Sequence, residues 1–126
     1  MPDNNQTNEI IFIAEATGTN PVPSLPDFIK ILHKDFQLRE RDYSESSGNH
    51  RLAEINFMKS EINYLPIEGS EVVDSVIHEV LHGLFHMFDI GVEDGLEEHI
   101  VSALATGLTT IMRDNPSLMP ALQEML

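Results

Sequence analysis

Apolar positions change their period several times along this chain. IIFIA, residues 10–14, is a β-rich run that predicts a short strand, and the breaker-rich TGTNPVPSLP follows it. Over 27–36, apolar Phe28, Ile31 and Leu32 recur at helical spacing, which predicts a short amphipathic helix. QLRERDY suits either a strand or a helix end, and SESSGNH, 44–50, is a loop by composition. RLAEINF and SEINYLPI read as two strands around a turn over 58–60, so a hairpin is expected.

After Gly69 the period becomes helical. Ser70 is a good N-cap, Glu71 and Asp74 suit the positive end of the helix dipole, and the pattern runs to Ile90 and stops at Gly91. Val73, Ile77, Val80 and Leu84 line one side of this helix, and Leu81, Phe85 and Phe88 the other. Between them lies a strip of Glu71, Ser75, His78, Glu79, His82, His86 and Asp89, which must face a cleft or a partner group. A second helix is expected over 95–113, ended by Asn115-Pro116, with Val101, Leu104, Leu108 and Ile111 as its apolar stripe. In the tail, SLMPALQEML is read as a further short helical turn packed by Leu118, Leu122 and Met125.

The polar strip contains His78-Glu79-Val80-Leu81-His82, an HExxH pattern. Residues four apart on a helix stack with Cβ atoms about 5–6 Å apart, so His78 and His82 can converge on one small cation. Glu79, one step round, would stand beside the ion and carry a proton to and from water. A catalytic zinc keeps three protein ligands and an open position. The third is sought in Glu97-Glu98-His99, just after a short loop. Asp94-Gly-Leu-Glu97 reads as a capping box, which gives Glu97 a structural task, and Glu97 also lies in line with Val101 and Leu104. Glu98 has no such task and is the preferred third ligand, with Glu97 as the alternative. His86 lies about 12 Å along the axis from His78, too far to share its ion, and is read as a neighbour of the site. His99 is read as a surface residue, with Tyr64 or His99 as conceivable oxyanion donors; His33 and His50 carry no motif.

Composition narrows the setting. With 126 residues the chain is one domain's worth, with 1–9 read as a loose tail and no tract as long as a membrane span. There are no cysteines, which excludes disulfides and thiolate ligands. Against 7 basic residues stand 21 acidic ones, a formal charge of −14, which argues against nucleic acid or anionic membrane as partner. The polar, acidic start does not read as a signal peptide, so a cytoplasmic protein is expected. Its acidity is read mainly as a solubilising surface, with attraction of cations or basic peptides as the sharper alternative.

HEVLH, a short loop and EEHIVSALATGLTTIMRDNP together resemble the small phage- and prophage-encoded zincin-like metallopeptidases. The resemblance covers 76–116; AEINFMKSEINY is also similar to that family's hairpin, with Ala53 where glycine is usual. It implies a minimal gluzincin-type α+β fold, a small twisted sheet against an HExxH helix and a second, ligand-bearing helix. It implies Zn²⁺ on His78, His82 and a glutamate of the 97–98 pair, with Glu79 as catalytic acid/base. The expected function is hydrolysis of a peptide or protein substrate, lying extended along an edge strand such as EINYLPI. The alternative is a non-catalytic zinc-binding phage accessory or regulatory protein.

Overall fold

The computed structural model describes residues 25–41, 52–67 and 69–126. The strand expected over 10–14, the tail over 1–9 and the loop over 44–50 lie outside them.

The helix expected over 27–36 is instead a hairpin. Strand β1 (Phe28–Ile31) pairs antiparallel with β2 (Lys34–Glu40), Ile29 facing Phe36 and Ile31 facing Lys34. The operative period is two: Ile31, Phe36 and Leu38 are buried, whereas Phe28 and Leu32, which suggested a helical face, are 57% and 48% exposed. Two β-branched isoleucines favour extended backbone. Leu32 makes the turn with His33 at a φ of 56°, a conformation no helix admits.

The second hairpin forms where the alternation places it. Strand β3 (Ala53–Asn56) pairs antiparallel with β4 (Glu61–Tyr64), and the Asn56 side chain accepts the Lys59 N–H in the turn at 2.9 Å. The four strands form one sheet in the order β1-β2-β4-β3, with β4 parallel to β2. This corrects one expectation: EINY is an interior strand, and among the described residues the edge strands are β1 and β3.

Helix α1 (Gly69–Met87) lies across one face of the sheet. Val72, Val76, Val80, Leu84 and Met87 meet a core of Ile31, Phe36, Leu38 and Ile62. The seat is thus turned from the expected flanks: Val73 and Phe88 are exposed. Gly83 marks the closest approach, where a Cβ would stand 2.6 Å from Cδ1 of Ile31 and 3.4 Å from Cδ1 of Ile55. The helix ends earlier than expected, in a Schellman arrangement. Ile90 N–H bonds to Phe85 O at 2.9 Å and Asp89 N–H to His86 O at 3.2 Å, so Asp89 (φ 53°), not Gly91, takes the left-handed position.

Helix α2 (Asp94–Asp114) packs on α1 and ends at Asn115, whose N–H and side-chain amide both bond to Ile111 O. Its buried seam is Val101, Ala105 and Thr109. Leu104, Leu108 and Ile111, expected in the seam, are exposed, because the small residues four apart let the helices approach on their own face. A last helix, α3 (Leu118–Glu124), follows; Leu118, Leu122 and Met125 are exposed instead of packed. The fold is α+β: a mixed four-stranded sheet, α1 upon it and α2 upon α1. Among the described residues no helix is long and apolar enough to cross a membrane.

Candidate metal centre

A cleft of about 920 Å³ opens between α1, the first half of α2 and edge strand β3. Strand β3 and its flanks contribute Leu52, Ala53, Ile55 and Phe57. From α1 come Glu71, Asp74, Ser75, His78, Glu79 and His82, most of the polar strip read from the sequence. Six carboxylates and two imidazoles line it, with no lysine or arginine among its described lining residues, so its field favours a cation.

Helix α1 stacks His78 and His82 with ring centroids 4.8 Å apart and their Nε2 atoms 3.2 Å apart. Glu98, in the first turns of α2, reaches both: its Oε1 lies 2.9 Å from Nε2 of His82 and its Oε2 3.1 Å from Nε2 of His78. The ligand-type atoms of these three residues all lie within 4.8 Å of one another. Donors held about 2.0–2.1 Å from a tetrahedral zinc are ~3.3 Å apart, so this two-imidazole, one-carboxylate set fits the ion in type and spacing. Glu97 stands elsewhere, with its Oε2 2.7 Å from Nδ1 of His82, the nitrogen turned away from the cluster.

The capping box expected at this helix does not form. The N-cap is Glu93 and makes no side-chain cap bond, and Asp94 is the first helical residue, so the Glu97 carboxylate is directed at His82. Ser102, one turn beyond Glu98, donates its hydroxyl to Oε2 of Glu98 at 3.1 Å. Further along, Thr106 of α2 donates to Asp74 of α1 at 3.0 Å and ties the helices across the cleft. Neither contact was foreseen, although the four-residue spacing of Glu98 and Ser102 was a readable signal.

Burial and charge oppose each other at these groups. Burial alone would lower the pKa of His82, but hydrogen bonds to Glu97 and Glu98 and the nearby charge of Glu79 raise it above the ordinary imidazole value. Burial would raise the carboxyl of Glu98, yet its bonds to His82 and Ser102 and the neighbouring His78 hold it below the usual range. Glu79 is buried in the cleft wall one residue from His78.

The remaining candidates fall outside. His86 is exposed and stacks on Phe57 at 4.0 Å between centroids, fastening α1 to the β3–β4 turn; it does not line the cleft. His99 is exposed, and neither it nor Tyr64 lines the cleft, so neither is placed as an oxyanion donor. Compared with protein-family models, curated proteins and solved structures, the chain finds no match.

Proposed function

We propose that the cleft is the active site of a zinc-dependent metallopeptidase of the zincin-like kind. His78, His82 and Glu98 would hold the ion, and Glu79 would serve as general acid/base. The convergence of two Nε2 atoms and one carboxylate at 2.9–3.2 Å, directly beside a buried glutamate, is the observation that carries this reading. When bound, zinc supplies a Lewis acid that acidifies water and polarises a carbonyl. Glu79, in the wall beside the histidines, accepts a proton from the attacking water and returns it to the departing amine, so the carboxylate ends as it began. Among the described residues β3 is an edge strand of the sheet and borders the cleft, and a peptide can lie extended beside it.

The test separates metal from turnover. Elemental analysis is expected to find one zinc per chain in the wild type and none in His78→Ala. Glu79→Gln should keep the zinc and lose peptide cleavage by 100-fold or more, on the order expected for a general base. Zinc retained with no cleavage by the wild type across a peptide library would reject the enzyme and leave a metal-binding accessory protein.

A further inference from the structure

The metal reading leaves Glu97, whose carboxylate lies 2.7 Å from Nδ1 of His82, without a task. Consecutive helical residues diverge by about 100°, so the Glu97-Glu98 pair straddles the His82 ring with one carboxylate at each nitrogen. We propose that Glu97 is the positioning residue of the centre: it holds the Nδ1–H tautomer of His82 and fixes the ring so that Nε2 points at His78 and Glu98. The inference rests on the metal reading for its purpose, and on the geometry of the histidine alone for its first half.

Three observations support it. The Nδ1–Oε2 distance of 2.7 Å is that of a short, charge-assisted bond. The Glu97 side chain is 23% exposed against 58% for Glu98, so water screens its bond less. It also springs from ordered helix, its own N–H bonded to Glu93 O at 2.9 Å, which makes its aim reproducible. A neutral imidazole that binds metal through one nitrogen must carry its proton on the other, and an acceptor there selects that tautomer. Because the two ring nitrogens diverge, Glu97 cannot reach the ion that Nε2 would face without a flip of the ring. Helix α2 thus brings a ligand in Glu98 and the orienting group of another ligand in Glu97, from adjacent positions.

Long-range ¹H–¹⁵N NMR reads the His82 tautomer directly, and competition with a chromophoric chelator reads zinc affinity. The zinc-loaded wild type is expected to show the proton on Nδ1 of His82. In Glu97→Ala that preference should weaken and zinc affinity fall about 10–100-fold, while Glu97→Gln, which still accepts from Nδ1–H, should recover most of it. Affinity within twofold of wild type and an unchanged tautomer in Glu97→Ala would overturn the proposal and leave the metal site standing. Loss of zinc in Glu97→Ala as complete as in His82→Ala, with Glu98→Ala nearly unaffected, would overturn it by making Glu97 the ligand. If the wild type takes up no zinc, the metal reading itself fails. The metal-free tautomer, read at a pH where the His82 ring is neutral, then still decides whether Glu97 orients the ring. Should Glu97→Ala not fold, Glu97→Asp carries both readouts: the shorter arm should lose the Nδ1 preference, and its retention would count against the proposal.

Discussion

His82 concentrates the residue-scale argument, since each of its nitrogens faces a glutamate. Without metal, a protonated ring satisfies both, and this gives pH a definite effect on stability. The folded pKa of His82 is raised, so its contribution is fully present below the unfolded value of 6.5 and is lost as pH rises through the folded value. The folded pKa of Glu98 is lowered, so its contribution is present above 4.5 and is lost as pH falls through the folded value. Between those limits both act. In urea unfolding of chelator-treated protein, the stability gap between wild type and His82→Gln should be widest there and should narrow as pH rises through the folded value of His82. A gap independent of pH would contradict the His82–carboxylate pairing. The two histidines and Glu79 were legible because HExxH has an unambiguous helical geometry. Preferring Glu98 to Glu97 rested on a capping box that does not exist, since Asp94 is already helical. A single sequence cannot tell which turn of a helix is its first, and that one residue decided where Glu97 points.

At the scale of elements, two local features set the position of the HExxH helix. Gly83 lets α1 settle onto the sheet. Gly83→Ala gains about 1 kcal/mol of helix propensity but places a methyl against Ile31, a crowding that costs ~1–3 kcal/mol. A net loss of about 1 kcal/mol is expected, and Ile31→Val, which removes the colliding Cδ1, should make the double variant more stable than the sum of the single changes. Strict additivity in denaturant melts would mean the two groups do not meet. At the other end, Asp89 holds a left-handed backbone and puts a negative charge at the negative end of the dipole. Asp89→Gly relieves both and should raise stability by about 1 kcal/mol, read as a higher midpoint with an unchanged slope. The first hairpin shows why elements were less legible than motifs. Phe28, Ile31 and Leu32 fit a helix by spacing, but spacing over ten residues also fits a strand-turn-strand. The alternation of Ile29, Ile31, Phe36 and Leu38 gains its meaning only once the turn at Leu32 is known.

Across the whole molecule, the candidate centre joins two helices that are seated differently. Helix α1 packs on the sheet core, whereas α2 packs on α1 with its seam of Val101, Ala105 and Thr109 buried and leaves Leu104, Leu108 and Ile111 exposed. Because burial sets the cost of truncation, Val101→Ala should destabilise by about 1–3 kcal/mol, and Leu108→Gln by less than about 1. Both ends of the proposed metal bridge lie across that seam, His78 and His82 on α1 and Glu98 on α2. An ion bound by both helices binds only when α2 is docked, so it suppresses the openings that detach α2 more than those that break the sheet. By mass action, zinc at 1,000 times its dissociation constant adds about 4 kcal/mol to the docked state. In native-state hydrogen exchange, α2 amides should exchange faster than those of β2 and β4 in chelator-treated protein. Zinc should slow them by orders of magnitude while the sheet changes less at low denaturant, and Glu98→Ala should cancel that difference. Equal slowing of sheet and helix would mean that α2 never opens on its own, and that the seam is firmer than its small residues indicate.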